Sequence, residues 1–239
     1  MYWHIIEGEA GCRFAVEHQC VAIVVDALRA SATAAMLLHH GATEIWVVGE
    51  VHDAFAAKKQ WPDALLFGER NGLPPEGFDF GNSPRETVAA KGRRVIFTTT
   101  TGAQRMISAW GAAAVYMGTT INASAVVNAA LHHEKEAVLI PAGLYNDPAF
   151  DAQEDRVAAV AIAMTAGAEI GEGADVYARW KPRIEQEGIE TLFMCAPHAE
   201  KLRRIHLEAD VAFCAQMNVT DAVPMGIEKN KLGVLVGRK

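Results

Sequence analysis

The chain reads as an α/β protein of three layers, with helices on both faces of a mostly parallel or mixed sheet. Three observations predict this. A strand, a polar turn and a helix recur at residues 21–40, 94–110 and 114–133, and less regularly at 137–167. The first of these strands, Val21 to Val25, is an apolar, β-branched run, the composition of a strand buried on both faces. At 239 residues, with 51% apolar and 21% charged side chains, the chain can bury a full core as one large domain or two small ones.

In chain order, residues 3–6 (WHII) read as a short strand and 12–18 as a second, edge strand. Val21 to Val25 is a buried strand that Asp26 ends with a charge. Ala30 to His40 has helical composition, and Gly41 suits the residue just past a helix. A strand over 44–48, a helix over 51–60 stopped near Pro62 and a short strand over 64–67 follow. Residues 68–83 (GERNGLPPEGFDFGNS) form a Gly/Pro-rich loop too long for a plain connection. Ser83-Pro84-Arg85-Glu86 has the pattern of a capping box with proline at the first helical position, so a helix is expected from Pro84 to near Gly92.

Arg94 to Thr99 reads as a strand, 102–110 as a helix ended by Gly111, 114–117 as a strand, 122–133 as a helix and 137–140 as a strand. Residues 153–168 are an Ala-rich amphipathic helix, with further helices over 174–187, 189–196, 198–206 and 207–217. Two short strands around Lys229-Asn230 close the chain at 222–236. The expected organisation is an α/β core over 1–145 carrying the main site loops. A helix-rich part over 146–239 completes the same fold or packs closely on it.

A net charge of −7 argues against bulk affinity for nucleic acid, while leaving room for a local cationic pocket. No apolar run approaches the ~18 residues that span a bilayer, and the opening MYWHIIEGEAG lacks the pattern of a secretory signal. A cytoplasmic protein with no membrane partner is expected, and a homodimer on the general prevalence of such assemblies. Cys12, Cys20, Cys195 and Cys214 show no C-x-x-C spacing and read as structural thiols, the last two in apolar surroundings. His39-His40 and His132-His133 fall at the ends of helical runs, where they complement helix dipoles.

Polar residues cluster where strands end, the place where open α/β sheets bind ligands. Asp26, Arg29, Ser31 and Thr33 follow the first buried strand. Glu69 and Arg70 open the long loop, and Asn82 and Ser83 close it. Thr98 to Gly102 (TTTTG), including Thr99 and Thr100, enters a helix as a run of hydroxyls and amides suited to phosphate. Gly118 to Asn122 forms the fourth cluster, in which Asn122 also suits a helix cap. Glu154-Asp155 opens an apolar helix, where two carboxylates either complement its positive end or bind Mg²⁺ as hard oxygen ligands. Together these types point to metal-assisted chemistry on a small anionic phosphate ester. No Walker or G-x-G-x-x-G loop follows a strand, which sets a nucleotide-dependent enzyme aside.

In this order the clusters resemble the 2-phosphosulfolactate phosphatases of the ComB type. The D-x-L-R-[AS]-[ST]-[AT]-T pattern is matched by Asp26 to Thr33. The GER-G…GFD-GNSP-E pattern is matched by Gly68-Glu69-Arg70, Gly77-Phe78-Asp79, Gly81-Asn82-Ser83-Pro84 and Glu86. Further segments are met by Thr98 to Ala103, Gly118 to Ala123, Ala142-Gly143 and Glu154-Asp155, and finally by His198, Leu202, Asp210 and Cys214. Thr101 stands where the family usually has asparagine, Ala103 where it has threonine and Gln104 where an arginine is expected. These departures are expected to reshape the pocket for the sulfonate or carboxylate.

The resemblance implies an α/β fold, Mg²⁺ dependence and hydrolysis of 2-phospho-3-sulfolactate to 3-sulfolactate and phosphate, a step of coenzyme M biosynthesis. On this reading Asp26, Glu69, Glu154 and Asp155 supply metal ligands, and Asp26, Arg29, Glu69 and Arg70 carry the chemistry. Ser31, Thr33, Asn82, Ser83, Thr99, Thr100, Gly102 and Asn122 position the substrate. Attack by water is preferred, with Asp26 as a nucleophile the rival. The second class is a non-catalytic relative that binds a phosphorylated or sulfonated metabolite.

Overall fold

The computed structural model describes residues 1–147 and 149–238. Apart from α1, the first part of the chain alternates as expected: β1 (Tyr2–Ile5), α1 (Gly8–Glu17), β2 (Val21–Val25), α2 (Ala30–His39), β3 (Glu44–Val47), α3 (Val51–Gln60) and β4 (Leu65–Gly68). It continues with β5 (Arg94–Thr98), α4 (Gly102–Ser108), β6 (Ala114–Met117), α5 (Ala123–Leu131) and β7 (Ala137–Pro141). The last third holds α6 (Gln153–Ala166), a two-residue strand β8 (Glu169–Ile170) that the sequence did not announce, α7 (Ala174–Glu187), α8 (Ile189–Met194), α9 (Pro197–Arg204) and α10 (Glu208–Cys214). It ends in the hairpin β9 (Pro224–Lys229) and β10 (Val234–Arg238).

These strands form one mixed sheet in the order β4-β5-β3-β10-β9-β6-β2-β7-β1-β8. The strands β4, β5 and β3 pair parallel, as do β6, β2, β7, β1 and β8. The terminal hairpin stands between the two blocks and joins them by antiparallel pairing to β3 and β6. A segment last in sequence is thus central in space.

Side chains of β2 alternate between two cores, as strand geometry requires. Val21, Ile23 and Val25 pack in one core with α5, α6, α7 and the C-terminal helices, while Ala22 and Val24 pack in the other with α1 and α4. A third, smaller core lies between α3 and the β4–β5 edge. The layers are therefore helix, sheet, helix. The turn after α2 shows how the sequence sets an element's end. Gly41 takes φ +87°, its N–H reaches Leu38 O and the next N–H reaches Leu37 O at 2.9 Å. That paired bonding closes the last carbonyls of the helix.

Residues 12–18, expected as an edge strand, instead form the end of α1 and its cap at His18. The alternation of Cys12, Phe14 and Val16 imitates a strand, but the buried residues are Gly8, Gly11, Cys12 and Ala15, one face of a helix. Small residues dominate that face because the helix lies close on the sheet: a Cβ on Gly11 would stand 2.1 Å from Ile6 O and 3.1 Å from Ile140 Cγ2. The helix expected from Pro84 to Gly92 is also corrected, to a single 3₁₀ turn over Thr87–Ala90. Ser83 Oγ accepts the Arg85 N–H at 3.3 Å but donates to Asp210, and Glu86 returns no capping bond among the described residues. With Val88 62% exposed, the segment has no apolar face on which to continue.

All four cysteines are free; Cys195 is exposed rather than in apolar surroundings, because Leu192 and Phe193 carry the buried face of α8. The histidines at helix ends find side-chain partners: His40 Nδ1 meets Thr87 Oγ1 at 2.8 Å and His39 Nδ1 meets Thr220 Oγ1 at 2.9 Å. Burial, then the neighbouring His39, lowers the pKa of His40. The Gly11→Ala variant is expected to lose ~2 kcal/mol of stability through overpacking, measured as a lower urea midpoint with an unchanged slope.

Candidate active site

Four strand-end segments meet beside α9 around a cavity of about 390 Å³. Each contributes a carboxylate or the amides that hold one. After β2, the Asp26 N–H donates to Ser31 Oγ at 3.0 Å, and Asp26 Oδ1 accepts the Ala30 N–H at 3.1 Å. After β4, Glu69 Oε1 accepts the Thr100 N–H at 2.7 Å and Oε2 the Gly72 N–H at 2.8 Å. At the start of α6, Asp155 takes the Ala27 N–H at 2.8 Å and the Gly143 N–H at 3.0 Å. One carboxylate thereby fixes the tips of both β2 and β7. Its neighbour Glu154 binds His198 Nδ1 at 3.0 Å through Oε1, while Oε2 is buried without a partner.

This crowding of acids shows in their protonation. Burial pushes Asp26 up to about 6; the Ala30 N–H and then His198 oppose the rise, and Glu69 and Glu154 add to it. Burial, then the charges of Glu154 and Asp26, raises Asp155 well above the ordinary carboxylate range. For His198, burial alone would lower the pKa, but the bond to Glu154 and the charges of Glu154, Asp26 and Glu69 raise it. Groups shifted by desolvation and by like charges in a cleft mark a functional site.

Arg29 lines the cavity but is largely committed elsewhere. Its Nη1 meets Asp210 Oδ2 at 2.6 Å and its Nη2 meets Gly72 O at 2.8 Å. Ser83 Oγ donates to the other oxygen of Asp210 at 2.8 Å. Arg70 turns away from the cavity. It donates to Glu69 O, Gly49 O and Thr98 Oγ1, and pairs with Glu50 at 3.7 Å.

Of the residues singled out from sequence, Asp26, Arg29, Glu69, Asn82, Thr100 and Asp155 line the cavity together. Glu154 reaches its edge through His198. Ser31, Thr33, Ser83 and Thr99 stand behind the lining, their hydroxyls bound to Val24 O, Asn82 O, Asp210 and the Ala103 N–H. Asn122 lies apart, where it accepts the Thr119 N–H at 2.9 Å and donates to Ala222 O at 3.0 Å. Gly102 permits a close approach: a Cβ there would stand 2.7 Å from Asp26 Oδ2 and 2.6 Å from Ala30 Cβ.

Sequence reasoning gave no role to the α9 side of the site. His198, Lys201, Leu202 and Arg204 of α9, with Phe150, line the same cavity as the acids, and His198 bonds Glu154 directly. The only signal for this side was the family spacing through His198 and Leu202, which left Lys201 and Arg204 unmarked. Lys201 Nζ sits 3.9 Å from the centre of the Phe150 ring, within cation–π range. It pairs with no carboxylate among the described residues, whereas Arg204 pairs with Glu200. Of the three family departures, only Thr101 lines the cavity, and its Oγ1 accepts the Tyr145 N–H at 3.1 Å. Gln104 points to Gly49 O and Glu50 Oε1.

The oxygen donors of Asp26, Glu69, Glu154 and Asp155, with the orphaned Glu154 Oε2, fit a hard dication. Among the described residues no three His, Cys, Asp or Glu side chains form a ready-made cage. An ion that keeps several of its waters and takes one or two carboxylates needs none.

A strand-end cavity of an α/β fold lined by carboxylates together with arginine and lysine suits a phosphoric monoester hydrolase, a phosphatase, and that is the class the names of the chain's relatives carry. The chain belongs to the 2-phosphosulpholactate phosphatase family, whose model matches residues 11–229. It is 33% identical over 205 residues to a probable 2-phosphosulfolactate phosphatase of Carboxydothermus hydrogenoformans, covering 85% of each chain. It is 36% identical over 214 residues to one of Deinococcus radiodurans, covering 85% of this chain and 86% of the relative. A third, from Synechococcus sp. strain WH7803, is 29% identical over 97% of this chain and 96% of its own.

The Gly102→Ala variant is expected to displace the Asp26 carboxylate and lower kcat/KM for phosphate-ester hydrolysis by about 100-fold. Phosphate release checks the loss, and an unchanged far-UV circular dichroism spectrum assigns it to the site rather than to the fold.

Proposed function

We propose that the chain hydrolyses 2-phospho-3-sulfolactate, or a closely similar small polyanionic phosphate monoester, to the free hydroxy acid and phosphate, with Mg²⁺ as cofactor. The observation that carries this reading is a cavity lined at once by the carboxylates of Asp26, Glu69 and Asp155 and by the cations of Arg29, Lys201 and Arg204. Such a substrate holds a phosphate at one end and carboxylate and sulfonate groups beyond it. The carboxylates suit a phosphate only when a dication offsets them, and the cations suit the remaining anions.

Asp26, Glu69, Glu154 and Asp155 would hold the Mg²⁺, which when bound supplies charge neutralisation at the phosphoryl oxygens. The chain's own residues do the rest. Asn82 and Thr100, which line the cavity, orient the phosphoryl group, and Arg29 adds a fixed positive charge. Lys201, unpaired by carboxylate, binds the sulfonate or carboxylate and so aligns the ester bond. Water attacks phosphorus, the P–O bond to the hydroxy acid breaks, and the leaving oxygen takes up a proton. Phe150, Leu202 and Ile205 narrow the cavity on the side of α9 and limit competing water.

Phosphate release over a panel of monoesters tests the reaction. Mg²⁺-dependent turnover of 2-phospho-3-sulfolactate is expected, at least ~10-fold above p-nitrophenyl phosphate in kcat/KM; tight binding without release would instead mark a non-catalytic relative. In ¹⁸O-water a single turnover should put label into phosphate, and label in the Asp26 carboxylate would establish that residue as the nucleophile.

Loss of the charge-assisted contact in Lys201→Gln should raise KM for the polyanionic ester about 10-fold or more. KM for p-nitrophenyl phosphate, which lacks the distal anions, should stay unchanged. An equal rise for both esters would remove Lys201 from substrate selection.

A further inference from the structure

Two apolar side chains that line the cavity, Leu144 and Phe150, are not part of any core. Both are half-buried, and among the described residues neither joins one of the three hydrophobic clusters. The other apolar residues of the lining differ. Leu28 and Leu202 are 3% and 1% exposed and belong to the core that includes α6, and Ile205 packs against that core. Folding accounts for these three but not for Leu144 and Phe150. Partly exposed apolar surface in a concave site, beside a few polar groups, is the composition of a pocket that binds hydrocarbon.

The Phe150 ring is held against α9. Lys201 Nζ lies 3.9 Å from its centre, and the His198 ring meets it edge-on with centres 6.1 Å apart. His198, Lys201, Leu202 and Ile205 follow one another at helical spacing, so they share one face of α9 and its C-cap. That face passes from charged to apolar within two turns. At its apolar end the long loop comes close: a Cβ on Gly72 would stand 2.8 Å from Ile205 Cδ1 and 3.8 Å from Leu202 Cδ2. Apolar surface therefore lies directly beside the cation to which the proposed reaction assigns a carboxylate or sulfonate. The ester 2-phospho-3-sulfolactate leaves that surface unused, because charged groups crowd its short carbon chain.

We propose that Leu144, Phe150 and Leu202 form an apolar subsite for a hydrocarbon arm, and that the chain hydrolyses phosphate esters of 2-hydroxy acids whose side chain is an unbranched alkyl group. This rests on the function proposed above, in which Lys201 binds the anion beyond the phosphate. In such an ester one carbon bears the phosphate oxygen, the carboxylate and the arm. With the carboxylate on Lys201, the arm begins beside the ring that Lys201 itself touches. The chemistry is unchanged: water attacks phosphorus, the P–O bond to the hydroxy acid breaks, and the leaving oxygen takes up a proton. Each methylene that leaves water for the subsite stabilises the bound ester. The arm stays buried in the transition state, so the gain shows in kcat/KM.

Phosphate release by the full chain with Mg²⁺ tests this, over phosphate esters of 2-hydroxy acids with methyl, ethyl, propyl and butyl side chains. The ester 2-phospho-3-sulfolactate is run beside them. The value of kcat/KM should rise about fourfold per added methylene. In Leu144→Ser and in Phe150→Ser, each verified as folded by circular dichroism, the rise should fall below about twofold per methylene. A flat or falling series in the wild type would overturn the subsite, and turnover of 2-phospho-3-sulfolactate beside it would leave the proposed function standing. The full rise retained in both folded variants would overturn the subsite as well. Release from none of the esters, 2-phospho-3-sulfolactate included, would overturn the proposed function and the alkyl-ester activity with it.

Discussion

The ion pair between Arg29 and Asp210 joins parts of the chain that otherwise share few bonds. Both side chains are almost wholly buried, at 2% and 1% exposure. Burying two charges is unfavourable by several kcal/mol per ion unless each finds further partners. Here they do: Arg29 also donates to Gly72 O, and Asp210 also accepts from Ser83. One pair therefore binds the tip of β2, both ends of the long loop and α10. Removing either partner would leave an uncompensated buried charge, a loss of about 3–5 kcal/mol. The position of α9 follows from it, because α9 is joined to α10 by a short turn.

That constraint explains why the acids can crowd. Asp26, Glu69 and Asp155 line the cavity with Glu154 behind His198 at its edge, and burial and mutual repulsion raise both Asp26 and Asp155. Repulsion of this kind would open a loosely held loop. It is tolerated because each acid also serves as a strut: Glu69 clasps Thr100 and Gly72, and Asp155 clasps Ala27 and Gly143. The amides that fix the loops also stabilise negative charge. The same contacts keep the site assembled and leave it rich in negative charge.

How far the sequence carried the fold depends on whether a signal was local. The β2, β5, β6 and β7 strands and their helices were legible because an apolar run, a polar turn and a helical stretch lie next to one another. For α1 the local pattern misled: Phe14 and Val16 alternate with polar residues, while the true packing face consists of Gly8, Gly11, Cys12 and Ala15, whose small size carries little hydrophobic signal. The placing of β9 and β10 between β3 and β6 could not be read at all, since strand order is a property of non-local pairing. In the site, the acids stood out because charge at a strand end is conspicuous. Ser31, Thr33 and Thr99 looked equally functional, but their hydroxyls are taken up by backbone groups of the turns they stabilise.

Arginines show the same limit more sharply. Arg29 and Arg70 both lie in segments that a sequence marks for anion binding, yet the fold gives each a different task. Arg29 is neutralised by Asp210 and lines the cavity, while Arg70 ties its loop to Gly49 and Thr98. The charge left free to read a substrate is Lys201, which only the winding of α9 sets on the same side as His198. On the proposed function, the two positions that bear on substrate choice are Thr101 and Lys201. Of the altered residues, only Thr101 touches the cavity, and Lys201 alone among the cations lining it has no carboxylate partner among the described residues.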